Sequence, residues 1–247
     1  MQRSTEEELL DQTDPPEEEL NKNLREIITI NRLTGAYPLT RAGIRRLIPE
    51  GCTEVSIADV GCGGGDALMN LAEKPPVPGI KLKLTGVDLL PGAIEFAKKI
   101  NPHLQNVNWI VDDFEHYFAN LTEKPDIIVA GMFCHHLPDE KLKTFLRLAY
   151  ENTNFGVVIN DLHRAYLPYY FIKIATALLS GSRFTRYDAP LSVKKGFTKK
   201  EWQSLISSTG IKDFSVEWCW AFRHLVVINS AGIVWGGRER GGDLESD

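Results

Sequence analysis

The sequence predicts an α/β fold, a doubly wound and mostly parallel sheet that is covered by helices on both faces. From residue 55 onward, short apolar runs alternate with segments of helical periodicity, and this alternation is typical of parallel sheets. The chain has 247 residues, of which 43% are hydrophobic and 25% charged, as in ordinary globular proteins. This composition excludes collagen-like, wholly disordered and disulfide-dense proteins.

Seven apolar runs mark the strands of the expected sheet. Parallel strands are expected at 55–60, 82–87, 107–111, 127–130 and 157–160, with helices at about 65–73, 91–100 and 138–151 between them. A further helix is expected at 202–208. The runs at 214–218 and 222–228 are so close in sequence that they predict an antiparallel hairpin.

The N-terminal fifty residues predict a helical extension ahead of the sheet. Residues 1–14 are polar and acid-rich, which predicts a disordered tail. Asp14, two prolines and three glutamates then form a helix start, and apolar residues at helical spacing follow as far as Gly35. We expect a helical cover at 15–50, a main domain at 51–235 and a second disordered tail at 236–247.

Charge and cysteine content limit the classes of function. The chain has 28 Lys+Arg and 33 Asp+Glu, a formal net charge of −5, which does not favour a nucleic-acid partner. Its four cysteines form no C-x-x-C pair, and the N-terminus lacks the features of a signal peptide. The most apolar segment, 166–179, is shorter than the ~20 residues of a spanning helix. We expect a cytoplasmic monomer or homodimer that is not inserted in a membrane.

A glycine-rich turn follows the first expected strand. Asp59, Gly61, Gly63 and Gly65 give the pattern D-x-G-x-G-x-G. Glycine permits positive φ and lets the backbone approach a ligand closely. The spacing differs from the G-x-G-x-x-G of dinucleotide sites and from the phosphate loop that ends in G-K-[ST]. The turn therefore predicts a ligand site of another kind.

Acidic residues end the next two strands. Asp88 follows the second strand, and Asp112, Asp113 and Phe114 follow the third. In α/β sheets the ligand crevice lies outside the carboxyl ends of the strands, where a carboxylate can accept ribose hydroxyls or an adenine amino group. Each acid alone can also be a turn or helix cap, but three successive strands ending in acids favour a nucleoside ligand.

On these residues the chain resembles the class I S-adenosylmethionine (SAM) dependent methyltransferases, over about residues 24–228. The resemblance implies a Rossmann-like sheet of seven strands, SAM as cofactor and S-adenosylhomocysteine as product. The methionine amino group would lie near Asp59 and the ribose hydroxyls near Asp88. The cofactor contacts that it implies are Asp59, Gly61, Gly63, Gly65, Asp88, Leu89, Asp113, Phe114 and Met132.

The segment 130–139 resembles the motif after the fourth strand in the branch with quinone-biosynthesis and small-molecule O-methyltransferases. In that branch Asn31, Arg32 and Tyr37 would belong to the helical cover over SAM. The resemblance implies a small, aromatic or polyketide-like acceptor, methylated on oxygen rather than carbon. A protein substrate, or a non-catalytic SAM-fold protein, is the alternative; the retained glycines and Asp88 favour the enzyme.

Candidates for catalysis follow the fifth strand. Asp161 and His163 are two residues apart, so in an extended chain their side chains point the same way, as an orienting carboxylate and a general base. His163 at the strand end can equally be structural. We expect no metal, because the histidines lack short ligand spacing. The expected substrate contacts are His135, Arg164, Tyr166 and Tyr170.

The insertion at about 164–197 is rich in aromatic residues. It can serve as a lid over the active site, pack as an ordinary helix on the sheet, or contact a membrane surface. Tyr169 and Lys173 also give the Y-x-x-x-K spacing of some dehydrogenases, but the dinucleotide glycine pattern is missing.

Overall fold

A computed structural model of the protein describes residues 1–12, 15–104 and 106–230. The tail expected at 236–247 and the helix-start residue Asp14 lie outside the described residues.

The described residues contain the expected seven-stranded sheet. The strands are β1 (Glu54–Val60), β2 (Lys81–Asp88), β3 (Val107–Val111), β4 (Ile127–Gly131), β5 (Gly156–Leu162), β6 (Phe214–Cys219) and β7 (Arg223–Asn229). Their order is β3-β2-β1-β4-β5-β7-β6, and β7 is antiparallel to both of its neighbours. The strand order reverses between β1 and β4, which opens a crevice at their carboxyl ends.

Ten α-helices lie in the part of the chain that the structure describes. They are α1 (Leu9–Gln12), α2 (Glu17–Leu33), α3 (Ala36–Leu47), α4 (Asp66–Glu73), α5 (Pro91–Ile100), α6 (Phe114–Ala119), α7 (Asp139–Glu151), α8 (Tyr166–Leu179), α9 (Arg183–Lys195) and α10 (Lys199–Ser208). A 3₁₀ turn, Cys134–His136, follows β4. Local signals set several helix starts, such as Pro91 in the first turn of α5 and the Thr198–Glu201 capping box of α10.

The sheet is buried on both faces, as expected for a doubly wound fold. On one face Phe145 of α7 and Trp202 of α10 pack in the same core cluster as the strands. On the other, Ile44 and Leu47 of α3 and Leu68 of α4 do so. The strands therefore carry near-continuous apolar runs, and this is why the sequence located them well.

Residues 1–12, for which we expected a disordered tail, pack against α9. The Arg3 guanidinium lies 4.1 Å from the centre of the Phe197 ring and donates to the Lys195 carbonyl at 2.8 Å. The Leu9 amide donates to Asp188 at 2.8 Å. The polar residues of this segment find charged partners far away in sequence, which composition alone does not reveal.

The insertion begins and ends at one place on the sheet. The Arg164 amide donates to the Phe197 carbonyl at 3.0 Å, and the Phe197 amide donates to the Leu162 carbonyl at 3.0 Å. Between these points α8 and α9 pack against each other. Among the described residues, neither these helices nor any other is long and apolar enough to cross a bilayer.

Candidate active site

The glycine turn has the backbone conformation that its sequence predicts. Gly61, Gly63 and Gly65 have φ of +73°, +51° and +71°, in the region that disfavours side chains. A Cβ atom at Gly61 would also overlap the Phe133 ring, and one at Gly65 the Trp109 ring. The Gly61 amide donates to the Val87 carbonyl at 2.8 Å, so the turn is held at the ends of β1 and β2.

A cavity lies beside this turn at the carboxyl edge of the sheet. It is enclosed by the glycine turn, by α2 and α3, and by the ends of β4, β5 and β7. The residues that line it include Asn31, Tyr37, Asp59, Gly61, Asp66, Gly131, Met132, Asn160 and Arg223. The structure thus brings three of the predicted cofactor residues, Asp59, Gly61 and Met132, into one cavity under the predicted helical cover.

Two buried acidic side chains, Asp59 and Asp66, line this cavity. Asp59 is 3% exposed, and its Oδ1 accepts a hydrogen bond from no described residue. Burial, followed by the charges of Asp66 and Asp88, raises the pKa of Asp59 well above its ordinary value. Asp66 accepts from the Tyr37 hydroxyl at 2.7 Å and from the Asn31 amide at 3.2 Å. An unpartnered buried carboxylate is costly, so the cavity is suited to a cationic ligand.

Arg223 supplies the opposite charge on the far wall of the cavity. Its guanidinium donates to Asn31 at 3.1 Å and to Thr34 at 3.0 Å, while Nε has no partner among the described residues. Burial lowers its pKa to about 10. Our sequence reasoning missed both Arg223 and Asp66. An arginine at the head of the apolar run 223–228 was a usable signal, because buried arginines are rare unless paired.

Asp88 lies at the end of β2 and holds the glycine turn. Its carboxylate accepts from the Gly63 amide at 2.7 Å and from the Leu90 amide at 3.0 Å. Burial raises its pKa. Two carboxylate oxygens can accept about four hydrogen bonds, so Asp88 keeps capacity for a ligand. The neighbouring Leu89 is 66% exposed.

Asp113 and Phe114, which were predicted to contact the cofactor, make contacts within the protein. Asp113 is exposed and caps α6, where it accepts from the amides of Glu115 at 2.9 Å and His116 at 3.0 Å. Phe114 is buried, and its ring lies edge-on to Phe145 with 5.5 Å between the ring centres. The cap that we weighed as the alternative is therefore present at Asp113, and contact of either residue with adenine stays a prediction.

Asp161 pairs with His135, not with His163. Asp161 is fully buried, and its Oδ1 lies 2.7 Å from Nδ1 of His135. Burial acts to raise the pKa of Asp161, but the charge and hydrogen bond of His135 and the Leu162 amide hold it below its ordinary value. In the neutral form that a general base requires, His135 would carry its proton on Nδ1, facing Asp161, and would leave Nε2 as an acceptor.

The pairing predicted between Asp161 and His163 is thus corrected. Nδ1 of His163 lies 2.9 Å from Nε2 of His224, and burial lowers the pKa of both residues, that of His224 to about 4. The physical reason is the sheet order. Since β4 and β5 are parallel neighbours, the turn after β4 delivers His135 to the end of β5.

None of the four predicted substrate contacts is among the residues that line the cavity. Arg164 is buried and donates to the Gly196 carbonyl at 2.6 Å and to Glu201 at 2.5 Å, so it fastens the base of the insertion. Tyr166 and Tyr170 are 61% and 56% exposed because they lie on the outer side of α8.

The N-terminal segment covers the fourth predicted contact, His135. Nε2 of His135 lies 3.8 Å from Glu8 Oε1, and the buried Lys195 ammonium lies 3.6 Å from the same oxygen. Glu8, His135 and His136 place possible metal-ligand atoms within 4.8 Å of one another. Lys195 already supplies a positive charge there, and the absence of a metal stays a prediction.

Comparison with known proteins agrees with this geometry. Residues 57–156 match the family model described as a methyltransferase domain, a span that runs from β1 to the start of β5. The match is thus to a methyltransferase domain, and the solved structures that share the fold include class I SAM-dependent methyltransferases. SAM is the methyl donor of this class, and the resemblance drawn from the glycine turn and Asp88 is confirmed. No curated protein matches the sequence.

Solved methyltransferases share the fold. Human N-acetylserotonin methyltransferase in complex with SAM is 17% identical, with a TM-score of 0.60, over 87% of this chain and 56% of that one. A plantazolicin methyltransferase in complex with S-adenosylhomocysteine is 17% identical, with a TM-score of 0.56, over 87% and 95%. The magnesium protoporphyrin IX methyltransferase of Synechocystis PCC 6803 with bound SAM is 12% identical, with a TM-score of 0.52, over 83% and 84%. The present chain thus spans little more than half the length of the human N-acetylserotonin methyltransferase.

Proposed function

We propose that the protein transfers a methyl group from SAM to a hydroxyl of a small, aromatic or polyketide-like metabolite. The observation that carries the proposal is the buried His135–Asp161 pair beside the cavity. Gly131 and Met132, which line the cavity, lead directly into the turn that holds His135. Asn160, which also lines it, precedes Asp161. The pair therefore directly follows, in sequence, two segments that line the cavity, and this supports the proposal.

The cavity residues fit the charges of SAM. The unpartnered Oδ1 of Asp59, with Asp66 beside it, suits the ammonium group of the methionine part. Arg223, with its unpartnered Nε, suits the carboxylate, since guanidinium groups match carboxylates in shape and charge. Asp88 keeps acceptor capacity for the ribose hydroxyls. When bound, SAM supplies an electrophilic methyl group on a sulfonium whose charge is lost as the methyl leaves.

The chain's own residues then supply position and a proton acceptor. Nε2 of His135 takes the proton of the acceptor hydroxyl while the oxygen forms its bond to the methyl carbon. Asp161 holds the imidazole in the required tautomer and stabilises the imidazolium, which a buried carboxylate with a lowered pKa does well. In-line positioning can contribute as much as ~7–11 kcal/mol to such a step.

Access of the acceptor requires movement of the N-terminal segment. Glu8 lies against Nε2 of His135 and is itself paired with Lys195, and both Glu8 and Lys195 are buried. The acceptor hydroxyl must therefore replace Glu8 near Nε2, and closure of the segment over the bound acceptor would exclude water from the transfer.

The test is transfer of isotopically labelled methyl from SAM to a panel of phenolic and polyketide-like hydroxyl compounds. Mass spectrometry of the products gives the methylated atom, which separates transfer to oxygen from transfer to carbon. Incubation with a protein extract tests the alternative substrate class. SAM binding without transfer to any member of either set would favour the non-catalytic alternative.

A further inference from the structure

Helix α8 turns its apolar side chains away from the protein. Its outer face consists of six side chains that are each between 56% and 77% exposed: Tyr166, Leu167, Tyr170, Phe171, Ile174 and Leu178. Four of them recur at intervals of four residues and the other two lie beside them, so all six share one side of the helix. Surface helices normally place polar residues on that side.

The outer face is not a consequence of a poorly packed helix. Pro168 and Thr176 on the opposite side are buried, and α8 packs along α9, which is itself tied to α2 by the hydrogen bond from Asn23 to Thr185 at 3.1 Å. The helix thus has its own support and presents a second apolar surface. Exposed patches of this kind mark interaction sites.

In the segment of the chain that carries the outer face, the only acidic or basic side chains are basic. Residues 162–187 contain no aspartate or glutamate, although the whole chain has a formal net charge of −5. Lys173 on α8 is exposed, as are Arg183 and Arg186 just beyond its end. On the neighbouring α2, the carboxylate of Glu26 accepts hydrogen bonds from the Gly181 amide at 2.9 Å and from the Ser180 hydroxyl at 2.5 Å.

We propose that the outer face of α8 docks onto the surface of an anionic lipid bilayer. With 14 residues at 1.5 Å each, α8 is about 21 Å long, so it would lie in the plane of the interface. Its leucine, isoleucine and phenylalanine side chains would enter the acyl boundary, as in other interfacial helices. Tyr166 and Tyr170 suit the headgroup level, where one end of a tyrosine is apolar and the other wet.

Charge favours lipid over a second copy of the chain. A two-fold dimer would place the same patch against itself. Such a contact would bring together the positive charges of Lys173, Arg183 and Arg186 from both copies, with no acidic residue of 162–187 to pair with them. Anionic headgroups instead attract such residues, by about 1 kcal/mol for each cation near the surface.

Vesicle flotation of the full chain tests this proposal and does not depend on methyl transfer. The probes are vesicles of phosphatidylcholine alone and vesicles that also contain about 30% phosphatidylglycerol, whose headgroup is anionic. We expect wild type to float with the anionic vesicles and at least ten times less with the neutral ones. The double variant Phe171→Ser/Leu178→Ser should lose binding about tenfold or more.

Two further variants complete the experiment, the first as a control and the second as a test of the role of charge. Trp220→Ser removes an equally exposed aromatic, 70% exposed in the β6–β7 hairpin, and should bind as wild type does. Lys173→Gln/Arg183→Gln/Arg186→Gln should lose the preference for anionic vesicles. Failure of wild type to bind, or binding unchanged in the serine variant, would overturn the proposal. So would a wild-type dimer, by light scattering, that the serine variant converts to monomer.

Discussion

The two halves of the site are built in different ways. The proposed cofactor half is assembled mainly from the ends of β1 and β2, where Asp59, the glycine turn and Asp88 lie within thirty residues of one another, and Arg223 of β7 completes it. The proposed acceptor half is assembled from distant parts, since Glu8 covers His135 and His135 pairs with Asp161. This difference suits an enzyme class that shares one cofactor and differs in acceptors. Loops and insertions can then vary while the strand ends stay fixed.

The largest effect should come from the base of the acceptor half. We expect His135→Gln to lower kcat by roughly 10²–10⁴-fold, because the acceptor hydroxyl loses its proton acceptor. The dissociation constant of SAM should stay within threefold of wild type. Steady-state kinetics together with calorimetry measure both quantities.

His163→Gln is the matched control, since it changes a second histidine at the end of β5 that pairs with His224. Its kcat should stay within a few-fold of wild type. A large loss in His163→Gln with an active His135→Gln would restore the original assignment of the base.

Arg223→Met tests the proposed cofactor half at a residue that the sequence analysis missed. Loss of a charged hydrogen bond to the carboxylate of SAM should cost about 1.5–3 kcal/mol, a weakening of about ten- to more than a hundredfold. Calorimetric titration measures it, and the melting temperature shows whether the buried site tolerates methionine.

Arg45→Met, on the exposed side of α3, is the control and should bind SAM as wild type does. Equal affinities for SAM in a folded Arg223→Met would remove Arg223 from the cofactor site.

The raised pKa of Asp59 predicts that SAM binding depends on pH. Without ligand, burial and two neighbouring carboxylates favour the protonated acid. A bound cation favours the carboxylate, so binding should release protons and the affinity should fall as pH drops below the raised pKa, by up to about tenfold per pH unit for each coupled proton. Asp88, whose pKa burial also raises, adds to this slope.

Calorimetry in buffers of different ionisation enthalpy counts the released protons. Asp59→Asn should bind more weakly and release fewer protons than wild type. Proton uptake on binding to wild type would contradict this view of the cavity.

The smallest effect should be local to the N-terminal segment. Arg3→Ala removes the contact with the Phe197 ring, the hydrogen bonds to the Lys195 and Leu137 carbonyls and the ion pair with exposed Asp139, and we expect a net local loss of about 1–2 kcal/mol. Hydrogen exchange should speed up roughly 5–30-fold at the amides of residues 4–12. The amides of the glycine turn at 61–65 should exchange as in wild type. Equally faster exchange in both regions would contradict the distinction between the two halves.

The limits of sequence reasoning follow the distance in sequence between the residues that contact one another. Strand periodicity and the glycine spacing predicted the sheet and the position of Asp88, because both depend on residues close in sequence. The partner of Asp161 was mispredicted, since two-residue spacing says nothing of the side chain that the next strand brings. Glu8 looked like part of a polar tail, and Arg223 was read only as part of a strand. Their partners become neighbours only through the strand order and the insertion.

The most direct test of the account is titration of the purified protein with SAM and with S-adenosylhomocysteine, repeated on Asp88→Ala. We predict affinity in the micromolar range for wild type, about −8 kcal/mol, and a loss of at least ~1.4 kcal/mol, or tenfold, in the variant. A well-folded wild type that binds neither ligand would contradict the assignment of this cavity to SAM, and with it the proposed methyl transfer.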